Sequence, residues 1–259
     1  MGSIRTSIDG GHATVVFDNL ARRNAMTLDM WNGLADTMLE LSQNESIRVV
    51  VLRGQGNVAF VSGADISEFE SARIGDSANI YNAANARAFE AIAACPVPTV
   101  SLIHGFCVGG GAAISLNTDI RYAADDAVFA FPPAKLGLGY PIAGVDRLMR
   151  TVGPADAAYL LFTGARIDAQ EAQRIGLVHR VVEKASLDAT THKLVQTISE
   201  NAPLSIRSAK FNLRELQRPS DQQDTAAMQS SIDRCFHSDD YAEGVRAFLE
   251  KRRPEFKGK

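Results

Sequence analysis

A glycine-rich loop carries the strongest chemical signal in this sequence of 259 residues. Residues 103–111 form an apolar, strand-like run that ends in Gly109, Gly110 and Gly111, and a helix-like run follows. The first N–H groups of a helix have no intrahelical acceptor, and the helix dipole makes this end positive. The spacing fits neither the Gly-x-Gly-x-x-Gly nucleotide fingerprint nor a P-loop. The loop therefore predicts a site for negative charge, unless the glycines only allow a helix to pack closely.

A second loop of a similar kind follows the apolar run that ends at Val61. It reads Ser62-Gly63-Ala64-Asp65 and leads into a polar, helix-like segment. One amide from each loop would form an oxyanion hole, in which N–H donors stabilise negative charge on a carbonyl oxygen. The alternative is an ordinary turn that is closed by the side chain of Asp65.

The strands that must carry these loops are recognisable from their apolar patterns. Residues 49–52 and 99–103 are largely apolar without alternation, which is typical of strands that are covered on both faces. A helical segment at residues 80–94 lies between them, so strands and helices alternate and the fold class is α/β. The other predicted strands are 4–8 and 13–17, which form a hairpin, and 120–123, 127–131 and 178–182.

Further helices are marked by their N-terminal residues. Thr27 is the predicted N-cap of a helix whose apolar residues recur every three or four positions. Asp168 and Glu171 form a predicted capping box for a short helix that ends at Gly176. The strand patterns stop after about Ser186, and helical patterns fill the rest of the chain. The C-terminal part is therefore expected to be a helical appendage.

Composition and charge exclude several classes of protein. The sequence has 27 Lys and Arg against 30 Asp and Glu, so it lacks the basic field of most nucleic-acid-binding proteins. Cys95, Cys107 and Cys235 have neither a metal-ligand spacing nor a disulfide pattern, which predicts a reducing compartment and no metal site. No apolar run approaches the roughly 18 residues that cross a bilayer. We therefore expect a cytoplasmic protein without a nucleic-acid or membrane partner.

Five short segments, in matching order, resemble the enoyl-CoA hydratase/isomerase (crotonase) superfamily. They are residues 22–26, 60–66, 104–111, 163–172 and 248–254. The resemblance implies a crotonase-like spiral of strand-strand-helix units over residues 1–200 and a C-terminal helical trimerisation region over residues 201–259. It also implies a homotrimer or a dimer of trimers, and an acyl-CoA substrate. No separate cofactor is implied, because coenzyme A is part of that substrate.

The resemblance also assigns roles to individual residues. It places the backbone N–H groups of Ala64 and Gly110 against the thioester oxygen. The residues expected to contact coenzyme A are Arg22, Ser62, Asp65, Ile66, Phe248 and Lys251. In agreement, residues 246–259 include six basic and two acidic residues, a charge that suits contact with phosphate groups.

Hydratases of this family use two glutamates to hold water and shuttle a proton, and both glutamates are missing here. Ala113 and Ala134 occupy their positions. A methyl group cannot transfer a proton, and general acid–base help is worth roughly 10²–10⁴-fold, so standard hydration should be badly impaired. What remains is the stabilisation of an enolate without an obvious base.

Decarboxylation of a malonyl-type thioester needs no base, because the departing CO₂ leaves behind the electrons that form the enolate. The loop at residues 135–141 resembles that of the family's methylmalonyl-CoA decarboxylases, where a tyrosine lies at the position of Tyr140. Those enzymes, however, have a histidine at the position of Ala64. Tyr140 is therefore a candidate catalytic residue, with a packing role as its alternative. Asp146 is a reserve acid or base, and His104 is expected to be structural.

The sequence thus predicts an acyl-CoA lyase or isomerase of this family that stabilises an enolate but does not perform standard hydration. Two alternatives stay open. One is a decarboxylase of malonyl- or alkylmalonyl-CoA that uses Tyr140, and the other is a non-catalytic homologue that only binds acyl-CoA.

Overall fold

The computed structural model describes residues 2–65 and 77–259. The strands in this part are β1 (Ser3–Asp9), β2 (His12–Asp18), β3 (Val49–Gly54), β4 (Ala59–Val61), β5 (Thr99–Ile103), β6 (Phe106–Val108), β7 (Ile120–Ala124), β8 (Val128–Ala130), β9 (Arg166–Asp168) and β10 (Arg180–Val182). The α-helices are α1 (Leu28–Gln43), α2 (Ser77–Ala94), α3 (Gly110–Leu116), α4 (Ile142–Thr163), α5 (Ala169–Arg174), α6 (Leu187–Glu200), α7 (Pro203–Glu215), α8 (Thr225–Phe236) and α9 (Asp239–Leu249).

The described strands form two sheets. The six-stranded sheet has the order β1-β2-β3-β5-β7-β10, and the four-stranded sheet has the order β4-β6-β8-β9. All pairs are parallel except β1–β2 and β8–β9. Three successive units, β3-β4-α2, β5-β6-α3 and β7-β8-α4, each give one strand to each sheet before a helix follows. The predicted crotonase-like spiral of strand-strand-helix units is therefore confirmed.

Strand β3 shows why an unalternating apolar run is needed in this fold. Val50 and Leu52 belong to the main core, whereas Val49 and Val51 belong to a second apolar cluster that also contains Val195 of α6. Both faces of the six-stranded sheet are thus covered at β3, as the sequence predicted.

The four-stranded sheet sets the position of the two glycine-containing loops. Strands β4 and β6 are parallel neighbours, with Val61 opposite Cys107. Parallel strands end at the same edge of a sheet. The loops that follow β4 and β6 therefore leave the sheet side by side.

The helix starts agree with the sequence in part. The Thr27 hydroxyl accepts a hydrogen bond from the Met30 amide at 3.2 Å, and the Asp168 carboxylate accepts one from the Glu171 amide at 2.8 Å. The second half of the predicted capping box is wrong. The Glu171 carboxylate pairs with Arg174 at 2.6 and 2.7 Å instead of reaching back to the helix start, because a charge-assisted bidentate pair is stronger than a single bond to an amide.

The C-terminal part is helical, as expected. The last strand of the described part ends at Val182, and α6 to α9 follow it. Lys210 joins α7 to the spiral, since its ammonium group donates to the Val97 carbonyl at 2.7 Å and to the Asp119 carboxylate at 2.6 Å. The division at residue 200 stays a prediction. None of the helices in the described residues has the length and apolar character that a bilayer span requires.

Candidate active site

The two glycine-containing loops meet at the ends of β4 and β6. A Cβ atom added to Gly110 would lie 3.9 Å from the backbone nitrogen of Ala64, and one added to Gly109 would lie 3.9 Å from Cα of Gly63. Gly109 turns the chain from β6 into α3 with a φ of 54° and a ψ of −111°, a backbone conformation that glycine adopts without steric cost. All of these residues line one cleft, which has a volume of about 2180 Å³.

The amides of Ala64 and Gly110 have no acceptor within the described part of the chain. Gly110 is the first residue of α3, where an N–H has no intrahelical partner. In the other loop, the Asp65 amide donates to the Met26 carbonyl at 2.8 Å, and the Met26 amide donates to the Gly63 carbonyl at 2.9 Å. These bonds fix the turn on both sides of Ala64 and leave its N–H unpaired. Two unpaired donors on one wall suit a carbonyl oxygen that gains negative charge.

The indole ring of Trp31 forms the wall behind Gly110. A Cβ atom on Gly110 would lie 2.9 Å from Cζ2 and 3.3 Å from Cη2 of this ring, so a larger residue would displace it. Trp31 has no exposed surface, and its Nε1 donates to the Tyr81 hydroxyl at 2.8 Å. The sequence identified Trp31 only as a core residue of α1, because helical periodicity reports burial and not the partner.

Three residues that were predicted to contact coenzyme A lie together beside Ala64. The Arg22 guanidinium pairs with the Asp65 carboxylate at 2.5 Å, and the Ser62 hydroxyl donates to the Arg22 carbonyl at 3.2 Å. Asp65 is buried and the Arg22 side chain is half exposed, so this ion pair connects the loop to the surface. The prediction for Ile66 falls outside the described residues. Contact of this group with coenzyme A stays a prediction.

The two positions at which the family resemblance places the hydratase glutamates have different surroundings. Ala113 lies in the first turn of α3 and lines the cleft. Ala134 is exposed in the short helical turn Pro133–Leu136, and within the described chain it is not part of the cleft wall. A carboxylate at position 113 would thus face the cleft directly.

Every carboxylate that lines the cleft in the described part of the protein is paired with a cation. The pairs are Asp146 with Arg150, Glu90 with Arg214, and Asp119 with Lys210. Asp146, the reserve acid or base, accepts two hydrogen bonds from Arg150, at 2.8 and 2.9 Å. Asp146 thus forms an i, i+4 ion pair with Arg150 at the surface of α4.

Tyr140 also lines the cleft. Its ring packs edge-to-face against Phe131, with ring centroids 6.3 Å apart, and lies close to Gly144. Its hydroxyl is buried and has no hydrogen-bond partner among the residues that the structure describes. Burial raises the pKa of this hydroxyl above its usual value. A neutral, unpaired O–H at this position can donate to a carboxylate or to water.

Phe248 and Lys251 lie apart from the other predicted site residues. Phe248 is 84% exposed near the end of α9, and Lys251 follows in a left-handed turn with a φ of 54°. Neither residue belongs to the cleft wall that the described residues form. Their contact with coenzyme A stays a prediction.

His104 is buried, and within the described chain neither ring nitrogen has a hydrogen-bond partner. The nearest carboxylate, that of Asp188, lies 3.6 Å from Nε2. Burial lowers the pKa of His104, and Asp188 opposes this effect. His104 does not line the cleft, and the described residues contain no cluster of side chains suited to a metal ion.

Residues of α7 extend the cleft in a way that the sequence did not indicate. Lys210 and Arg214 line the cleft, as does Arg147 of α4. Burial lowers the pKa of the Arg147 guanidinium. The amphipathic pattern of α7 predicts which face is buried, but it does not identify the helix that lies opposite.

Comparisons with known proteins agree with this architecture. The family model for enoyl-CoA hydratase/isomerase matches residues 8–259. A short-chain-enoyl-CoA hydratase of Clostridium acetobutylicum is 31% identical over 95% of this chain and 94% of its own length. A carnitinyl-CoA dehydratase of Proteus mirabilis is 29% identical over 99% of both chains. The crystal structure of an enoyl-CoA hydratase/carnithine racemase from Magnetospirillum magneticum superposes with a TM-score of 0.95 and 36% identity, and the match covers 100% of this chain and 97% of the other.

Because the family model covers nearly the whole sequence and the solved structure shares the whole fold, this chain belongs to the enoyl-CoA hydratase/isomerase family.

Proposed function

We propose that this protein acts on an acyl-CoA thioester and stabilises the enolate of that thioester through the amides of Ala64 and Gly110. The observation that carries the proposal is the meeting of these two unpaired amides on one cleft wall. Relatives named as hydratases and dehydratases of CoA thioesters support the substrate class.

The amides act on charge that develops during the reaction. When the bond at Cα breaks, its electrons move toward the thioester carbonyl, whose oxygen becomes negative. N–H donors that are fixed in advance stabilise this oxygen more than the neutral carbonyl, and this difference lowers the barrier.

The cleft favours a reaction that needs no protein base. Ala113 cannot take a proton, and the cleft carboxylates of the described part are paired with cations. In the decarboxylation of a malonyl- or alkylmalonyl-CoA, the bond between Cα and the carboxylate breaks, CO₂ departs, and the bonding electrons form the enolate. One proton from solvent then bonds to Cα and gives the shortened acyl-CoA. Atoms and charge balance without an oxidant or a metal.

We assign Tyr140 to the substrate carboxylate. Its O–H is neutral, lacks a partner in the described part of the molecule, and belongs to a residue of the cleft wall. A hydrogen bond from this hydroxyl would orient the carboxylate before CO₂ departs. We assign Arg22, Ser62 and Asp65 to contact with the coenzyme A portion, because they adjoin Ala64 and present a half-exposed cation.

The test compares two substrates. Purified protein is mixed with methylmalonyl-CoA, with release of CO₂ as the measurement, and with crotonyl-CoA, with loss of the enoyl absorbance as the measurement. We expect CO₂ release and little hydration. Tyr140→Phe should lower the decarboxylation rate, whereas Tyr159→Phe, which alters an exposed tyrosine of α4, should not.

Each other outcome favours a different function. Efficient hydration of crotonyl-CoA would contradict the proposal. Tight acyl-CoA binding in calorimetry without turnover of any thioester would instead favour a non-catalytic binding protein. Unchanged decarboxylation by Tyr140→Phe would remove Tyr140 from the mechanism and leave the amide pair intact.

A further inference from the structure

Direct backbone hydrogen bonds hold the two loops together only as far as the ends of β4 and β6. Beyond the β4–β6 pairing, no backbone hydrogen bond among the described residues joins residues 62–65 to residues 108–111. The two loops leave neighbouring strands and stay close together, since a Cβ atom on Gly111 would lie 2.2 Å from the Val61 carbonyl oxygen and one on Gly110 would lie 3.9 Å from the Ala64 nitrogen. Oxyanion donors must lie within about 2.7–3.1 Å of one oxygen, so small shifts between the loops matter.

Trp31 contacts the loop that contains Gly110. The Cζ2 atom of its indole lies 2.9 Å from the position where a Cβ of Gly110 would be, so the ring fills the space beneath this residue. The ring is held on its other sides, because it has no exposed surface and packs edge-to-face against Phe89 with centroids 5.4 Å apart.

A chain of hydrogen bonds connects the same indole to the loop that contains Ala64. Nε1 of Trp31 donates to the Tyr81 hydroxyl at 2.8 Å, and that hydroxyl donates to the Met26 carbonyl at 3.4 Å. The same carbonyl accepts the Asp65 amide at 2.8 Å. The turn at Ala64 is thus linked through Met26 and Tyr81 to the ring that supports Gly110.

We propose that Trp31 and Tyr81 are positioning residues that hold the amides of Ala64 and Gly110 at the separation needed for one oxygen. This inference rests on the proposed function and deepens it. Tyr81 acts only through other residues, and Trp31 acts through the backbone of Gly110. Both are fully buried, and they come from different helices, α1 and α2.

Tyr81→Phe is the sharpest test, because it removes one oxygen and keeps the ring. Affinities are measured for an acyl-CoA thioester and for the matching thioether, which lacks the carbonyl oxygen. We expect the wild type to prefer the thioester, and Tyr81→Phe to lose most of this preference with its thioether affinity unchanged. With methylmalonyl-CoA, kcat should fall roughly tenfold and KM should rise by no more than the factor lost in thioester affinity, because removal of a whole oxyanion donor costs about 10²–10³ and displacement costs less.

Ser208→Ala is the matched control. It also removes one buried hydroxyl, from the Ser208–Ser231 pair at 2.8 Å between α7 and α8, and Ser208 does not line the cleft. This variant should keep the thioester preference and kcat of the wild type. Trp31 is the single tryptophan of the chain, so a change in its emission in Tyr81→Phe reports that the indole has lost its bond.

The outcomes separate the two proposals. A wild type without any thioester preference contradicts the amide pair itself. A wild type with the preference, together with a Tyr81→Phe protein that keeps it, contradicts the positioning role, even if the melting temperature falls. If Tyr81→Phe does not fold, Trp31→Phe removes the same hydrogen bond and is judged by the same two affinities.

Discussion

Substitution of Gly110 by alanine tests the amide pair most directly. The new methyl group would lie 2.9 Å from Cζ2 of Trp31. Carbon atoms in contact prefer about 3.5–4.0 Å, so the indole or the start of α3 must move by at least about 0.6 Å. The indole has little freedom, since Tyr81 and Phe89 hold it. Overpacking of this kind costs about 1–3 kcal/mol of unfolding free energy.

The effect on catalysis should exceed the effect on stability. The amide of Gly110 belongs to the residue that is displaced, and the required donor distance spans only about 0.4 Å. We expect kcat for methylmalonyl-CoA to fall roughly 10²-fold, as misplacement on the 1 Å scale can cause. The assay is CO₂ release at saturating substrate, at a temperature well below the unfolding midpoint of the variant.

Gly33→Ala makes the same chemical change at a site without crowding. A Cβ atom there would lie 3.5 Å from Cγ1 of Ile4, an ordinary contact between α1 and β1. This variant should gain about 0.5–1 kcal/mol of stability and keep its turnover. A Gly110→Ala protein that turns over at the wild-type rate and binds thioesters normally would refute the reasoning.

Three further predictions follow from residues described above. Ala113→Glu places a carboxylate on the cleft wall and should raise the rate of Cα hydrogen exchange of butyryl-CoA in D₂O by roughly 10²-fold over Ala113→Gln, as followed by NMR; equal rates would contradict this. Burial lowers the pKa of His104, so the unfolded state binds more protons below pH ~6.5 and stability falls as the pH drops from there through the lower folded-state pKa. In urea titrations across this range, His104→Asn should show a flatter pH dependence than the wild type, and parallel curves would contradict the assignment. Leu249, 75% exposed on α9, belongs to the C-terminal region for which the family resemblance implies trimerisation; Leu249→Glu should therefore weaken the oligomer in analytical ultracentrifugation, and a monomeric wild type would contradict this expectation.

Much of the fold could be predicted because its strands and helices follow from patterns of neighbouring residues. The unbroken apolar run of β3 required cover on both faces, and the Thr27 cap fixed the start of α1. The two loops could be located for the same reason, since glycine and a strand end are local signals. The prediction for Glu171 failed because an ion pair with Arg174 competes with the backbone, and residue patterns do not rank the two.

The rest of the site depends on contacts between distant segments. Trp31 and Tyr81 are 50 residues apart, and their periodicities indicate only that each faces a core. Lys210 and Arg214 reach the cleft because α7 lies beside it, which depends on how the helical part folds back. The spacing of residues within one helix or strand does not predict which other element lies against it.

The two N–H donors on the cleft wall belong to the main chain, whereas the groups that could move a proton are side chains. Every residue except proline carries an N–H, so position 64 can change its side chain without losing the donor, while position 113 faces the same cavity with a side chain alone. A methyl, an amide or a carboxylate there would alter which proton can move and leave the two main-chain N–H donors in place. A scaffold of this kind can acquire a new reaction by single substitutions on the cleft wall, while its backbone donors stay the same.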